Sequence, residues 1–215
     1  MTGLYVDSIK DASNTKTLAT LSSSAVTLDS SVTAQAGSGF LNKIVNSSSS
    51  SAVSLVAFDN TKITTSHKYY MVVINYIRPT TNAKNLYLGM SDDNGSSFIS
   101  AFYGSTEYYQ LNASSVNNGL EAFQNTAYHQ VFTSAGNLAN SGQAGVIHLY
   151  ATQNTNTIHV KTVAECVGKH SSDLYMFKSQ STNEKTETDT INYIKLYYES
   201  SDTVAEHDVT LYGVS

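Results

Sequence analysis

The sequence predicts an all-β protein, an antiparallel jelly roll or β-sandwich of the concanavalin-like kind, with an extended N-terminal arm. Composition points there first. Fifteen Tyr and seven Phe accompany abundant Ser, Thr and Val, against a single Pro and 13% charged residues, and Tyr, Thr and Val favour pleated, half-covered surfaces. Short alternating runs separated by turn residues then recur from Val53 to the C-terminus, with no long amphipathic helix among them. A change of texture supplies the third observation. Between Tyr5 and Phe40 there is no aromatic residue, and the chain is Ser/Thr/Ala-rich.

That opening segment is too lean to fold alone. Its aliphatics, Leu4, Val6, Ile9, Leu18, Leu21, Val26, Leu28 and Val32, are widely spaced. Ordering a backbone costs on the order of 1 kcal/mol per residue, which side chains so sparse cannot offset. Residues 1–52 are therefore either a disordered tail or an extended assembly and attachment arm that orders against neighbouring subunits. The regular spacing of aliphatics, as in Ala25-Val-Thr-Leu-Asp29, favours the arm, with those eight aliphatics as its interface. Ser47–Ser51 reads as a flexible linker at its end. Residues 53–215 read as the sandwich domain.

Along that domain, Val53–Phe58 alternates as a strand should. Tyr69–Ile77 is apolar on both faces, as expected of a central covered strand, and Pro79 ends it. Leu86, Leu88 and Met90 share one face of the next strand. Asp92-Asp-Asn-Gly95 predicts a turn because Asn-Gly supplies positive φ cheaply, and Phe98–Tyr103 returns from it. Ala113–Thr126 is polar, with Leu120 and Phe123 three apart, and reads as a loop holding one helical turn. Tyr128–Phe132 is another strand. Gly145–Ala151 and Ile158–Val163 flank Gln153-Asn-Thr-Asn156 as a hairpin, and Leu174–Phe177 follows. Ile191–Glu199 and Val209–Gly213 both alternate, and the short polar stretch Ser200–His207 between them predicts a terminal hairpin.

Several of these residues together resemble the jelly-roll modules of tailed-bacteriophage virion proteins. The likeness runs through Leu86-Tyr-Leu-Gly-Met-Ser-Asp-Asp-Asn-Gly-Ser-Ser-Phe98, Tyr103-Gly, His159-Val-Lys161, Ile191-Asn-Tyr-Ile-Lys-Leu196 and the closing Val209-Thr-Leu-Tyr-Gly-Val214. The opening Leu4-Tyr-Val-Asp-Ser-Ile-Lys-Asp11 is similar to the N-terminal attachment segments of marine-phage fibre and decoration proteins. The resemblance implies a non-enzymatic structural protein, a head decoration or a short fibre or tail appendage. It also implies a homotrimer whose partners are other capsid or tail proteins and itself. Its location would be the virion, after synthesis in the host cytoplasm; no signal peptide is visible.

Other chemistries are weighed on the residues. A net charge of −5 with no Lys/Arg cluster argues against nucleic acid or an anionic membrane as partner. Cys166 is the single cysteine, so no intrachain disulfide or cysteine metal cluster is expected, and it reads as a small core hydrophobe. If the hairpin were symmetric about residues 153 and 154, His148 and His159 would face each other with Cβ atoms ~5 Å apart, yet no further metal ligand is evident. Solvent-side polar residues are the simpler reading, and no metal or cofactor is expected. Asp92-Asp-Asn-Gly-Ser lacks the ligand spacing of a calcium loop. Glu187 and Asp189 could share a strand face as a glycosidase pair does, but unbroken polar sequence around them leaves nothing to raise a carboxyl pKa. No enzyme is expected. The doublets Tyr69/Tyr70, Tyr108/Tyr109 and Tyr197/Tyr198 each point one ring outward. Tyr108, Tyr109 and Tyr197 are the candidates for contacting a host-surface glycan, against the plainer role of covering the sandwich's outer face.

Overall fold

The computed structural model describes residues 8–10, 17–21, 26–28, 41–67, 69–100, 102–111, 116–150, 161–170, 173–183 and 190–214. The chain divides into two compact units, Met1–Gly39 and Phe40–Ser215. In the first, β1 (Ser8–Lys10), β2 (Thr17–Leu21) and β3 (Val26–Leu28) form an antiparallel three-stranded sheet in that order. Ile9 lies opposite Ala19, and Leu21 opposite Val26.

The second unit is an antiparallel β-sandwich. Its smaller sheet holds β5 (Val56–Phe58), β7 (Lys84–Ser91), β10 (His129–Ala135) and β14 (Tyr193–Tyr198), in the order β10-β7-β14-β5. The larger sheet begins with β4 (Leu41–Ser49), β15 (Val204–Val214), β6 (Tyr69–Pro79) and β11 (Gln143–Tyr150). It continues through β12 (Lys161–His170), β13 (Asp173–Asn183), β8 (Phe102–Leu111) and β9 (Val116–Thr126). Every pairing is antiparallel. Alternation explains the packing. Val72, Ile74, Ile147 and Leu149 of the larger sheet meet Leu86, Leu88, Met90, Ile194 and Leu196 of the smaller, all at most 2% exposed. Each buried side chain of this size contributes roughly 1.5–3 kcal/mol, so the sandwich stands on its own core.

Four expectations are corrected. The last two strands do not form a hairpin: β14 pairs with β7 and β5, whereas β15 pairs with β4 and β6 in the opposite sheet. Ser200 and Ser201, with φ of 56° and 57°, turn the chain across. Ser47–Ser49 is not a linker but the end of β4, with Ser47 opposite Val209 and Ser49 opposite His207, so the body begins near Phe40 rather than Val53. Residues 116–126 form the edge strand β9 instead of a loop with a helical turn. In the β11–β12 pair, His148 lies opposite Val163, which removes the facing arrangement with His159. His159 itself, like Glu187 and Asp189, lies outside the described residues.

Candidate functional site

β7 and β14 lie side by side in the middle of the smaller sheet. With Leu86, Leu88, Ile194 and Leu196 turned into the core, Tyr87, Gly89, Tyr193, Lys195 and Tyr197 occupy the outer face. Register sets Lys195 opposite Gly89 and Tyr197 opposite Tyr87. The glycine makes room: a Cβ there would come 2.9 Å from Lys195 Cε and 3.3 Å from Phe98 Cδ1. Phe98 returns over this slot from the turn after β7, anchored where the Ile99 N–H donates to the Met90 carbonyl at 2.9 Å. The turn forms as its sequence predicts, with Asn94 and Gly95 at φ of 57° and 86°. Within it, the Asp93 carboxylate accepts from the Ser91 and Ser97 hydroxyls at 2.7 and 2.6 Å, which hold its pKa down to about 2. That carboxylate is occupied by its own loop.

The outer face is a strip of aromatic rings. Tyr128 stacks on Tyr87 with ring centroids 3.9 Å apart, and Tyr197 meets Tyr87 edge-on at 5.7 Å. Phe98 meets Tyr193 edge-on at 6.0 Å. Between the two groups lies the Lys195 ammonium, 3.4 Å from the Phe98 centroid and 4.5 Å from that of Tyr197. Such cation–π contacts are worth about 0.5–1 kcal/mol at exposed sites and more when desolvated. Burial lowers the Lys195 pKa and raises that of Tyr87, and burial followed by the neighbouring Tyr128 pushes Tyr197 up to about 12.

At the far end, the Glu199 carboxylate accepts from the Asn85 backbone N–H at 3.3 Å, the Asn85 amide at 3.2 Å and the Tyr87 hydroxyl at 3.3 Å. Asn85 is itself held, its Oδ1 accepting from the Thr133 hydroxyl at 2.7 Å and the Ser134 N–H at 3.0 Å. Glu199 is thus engaged by its own neighbours. The Lys195 ammonium, by contrast, lies over the Phe98 and Tyr197 rings and meets no hydrogen-bond acceptor among the described residues. The strip can offer flat π faces, phenol tips and one positive charge. Compared with models of protein families, with curated proteins and with solved structures, this chain matches none.

Of the residues the sequence singles out, Tyr197 lies in this strip. Tyr108 and Tyr109 lie in β8 of the other sheet, opposite Phe177 and Met176 of β13, so the three are not brought together. Ile9, Leu18, Leu21, Val26 and Leu28 all fall in the N-terminal sheet. Leu4, Val6 and Val32 lie outside the described residues. Among the described residues no group of three or more His, Cys, Asp or Glu could hold a metal ion. Cys166 is buried, as expected, and burial with the nearby Glu165 pushes its thiol up to about 12. Tyr87, Phe98, Tyr128, Tyr193 and Lys195 are the strip residues that sequence reasoning missed. Lys195 was legible as outward-facing, but its meeting with Gly89 depends on the β7–β14 pairing, for which no local signal exists.

Proposed function

We propose that this chain is a non-enzymatic structural protein of a tailed-phage virion, a head decoration or a short fibre or tail appendage. Its N-terminal unit attaches to capsid or tail proteins, and its sandwich, with jelly-roll connectivity, is displayed outward. The copies associate as a homotrimer. One observation carries the reading: the division at Gly39 between a body with its own core and a leader of three- and five-residue strands. Strands so short, in a leader so sparse in aliphatic side chains, have little apolar surface to set against the cost of ordering the backbone, which suits a segment that is completed by its target. The motif resemblance at both ends of the chain points the same way.

Deleting residues 1–39 tests it. The remaining chain is expected to stay folded, to sediment as a monomer where the intact protein is a trimer, and to be absent from assembled particles. Normal incorporation of the shortened chain would overturn the reading. A second reading, a receptor- or glycan-binding module, is favoured by the outward ring of Tyr197 beside an ammonium that meets no acceptor among the described residues. A glycan array probed with the intact chain tests that one.

A further inference from the structure

We propose that the aromatic strip binds an acidic sugar, its carboxylate taken by Lys195 and its carbon–hydrogen faces by the rings of Phe98 and Tyr197. The inference deepens the glycan-binding reading and rests on it. It begins from an asymmetry within the strip. Of the carboxylates at its ends, Glu199 already accepts from three donors, and Asp59, whose charge reaches Tyr193, accepts from the Thr61 hydroxyl and N–H. The cationic group, Lys195, has rings around it and no acceptor among the described residues. Aromatic faces attract an ammonium but leave its N–H donors unused. A ligand carboxylate would complete it with a charge-assisted hydrogen bond, stronger than one between neutral groups.

The ammonium is also placed in advance. Its stem crosses Gly89, where nothing larger than hydrogen fits without displacement, and Phe98 and Tyr197 flank its tip. Ordering that would otherwise accompany binding has occurred in the free protein. A general attraction for anions is not the source, because the whole chain carries a net charge of −5.

A sugar fits this face better than an acidic peptide does. β14 is flanked by β7 along its length and by β5 over Ile194–Leu196, so around Lys195 its backbone is paired on both sides and an extended peptide cannot add there as a strand. What remains on offer is ring faces and phenol hydroxyls, the amphipathic combination that suits a saccharide. From Tyr193 to Tyr197 the strip runs about 13 Å at ~3.3 Å per residue, room for more than one sugar ring.

The test titrates the intact chain with digalacturonate and with its dimethyl ester, which has the same shape without the charge. Digalacturonate is expected to bind at least tenfold more tightly, and Lys195→Met to abolish that preference. On the wild-type protein, saturating digalacturonate should slow acetylation of Lys195 by an amine-reactive ester and leave Lys62 unaffected; this readout decides the matter should the variant fail to fold. Equal affinity for acid and ester overturns the proposal while leaving the glycan reading intact. Binding of neither overturns both. Equal affinity for a tetraglutamate peptide, with the same protection of Lys195, overturns the assignment to sugars.

Discussion

The hydroxyl of Tyr198 donates to Oε1 of Gln143 at 2.5 Å, tying β14 of one sheet to β11 of the other through the middle of the sandwich. Both residues are fully buried, and the Gln143 amide in turn donates to the Ser141 carbonyl at 2.8 Å. Tyr198→Phe keeps the ring and orphans Oε1 in a place water does not reach. Leaving one buried partner unsatisfied costs about 1–3 kcal/mol. The variant is expected to lose that much in urea denaturation with an unchanged m-value; an unchanged midpoint would show that the pair contributes nothing.

His129 lies fully buried opposite Leu88, and burial holds its imidazole down to about 3. The folded-state pKa is therefore below that of the unfolded chain, ~6.5. Stability from the neutral ring is complete above pH 6.5 and is lost as pH falls towards 3, because the unfolded chain takes up the proton first. Burial lowers the pKa of His207 as well, partly offset by Asp208, so it acts in the same direction. Denaturation midpoints measured at pH 7, 6, 5 and 4 should fall steadily, and His129→Gln should flatten that slope. A wild-type midpoint constant over this range would contradict the assignment.

The sequence made individual strands legible more readily than their neighbours. Alternation in Ile194, Leu196 and Tyr198, and again in Val209 and Leu211, names the inward residues correctly. Whether the chain then folds back or crosses to the other sheet depends on the backbone at Ser200 and Ser201, and serine gives no sign of a left-handed φ. Polar strands were lost for a different reason. β4 and β9 are the two edges of the larger sheet, and an edge has solvent on one side, so Ser47–Ser49 and Asn117–Gly119 read as linker and loop. The strip was half legible. Alternation puts Tyr197 and Lys195 outward, but Phe98 and Tyr128 reach them only through the fold.

Two glycines separate a structural constraint from one at the candidate site. At Gly145 a Cβ would sit 2.3 Å from the Glu165 carbonyl oxygen and 2.7 Å from the Cys166 Cα, both backbone atoms of the paired strand β12. Backbone cannot step aside, so Gly145→Ala should cost ~1–3 kcal/mol or more as an overpacked contact. At Gly89 the nearest atom is Lys195 Cε at 2.9 Å, near the end of a flexible chain. Gly89→Ala should melt close to wild type, yet move the ammonium off Phe98 and weaken digalacturonate binding. Equal melting temperatures for the two variants would refute the distinction.

The crossing at Ser200 links fold and site, because it leaves β14 at the position that hands Glu199 to Asn85 and Tyr87. Ser200 has φ 56° and ψ 31°, the left-handed conformation. For an L-residue this costs roughly 1–2 kcal/mol, while glycine adopts it freely but surrenders about 0.5–1 kcal/mol of extra chain entropy on folding. Ser200→Gly is therefore expected to be neutral or to gain a few tenths of a kcal/mol. Ser200→Val adds a β-branched side chain where φ is positive, the least tolerated case, and should lose about 1–2 kcal/mol. Loss of the Glu199 contacts should accompany it, visible in ultraviolet titration as an earlier ionisation of Tyr87, whose pKa is raised by burial first and by the Glu199 charge as well. Valine tolerated at wild-type stability would mean that the crossing does not hold Ser200 in that conformation.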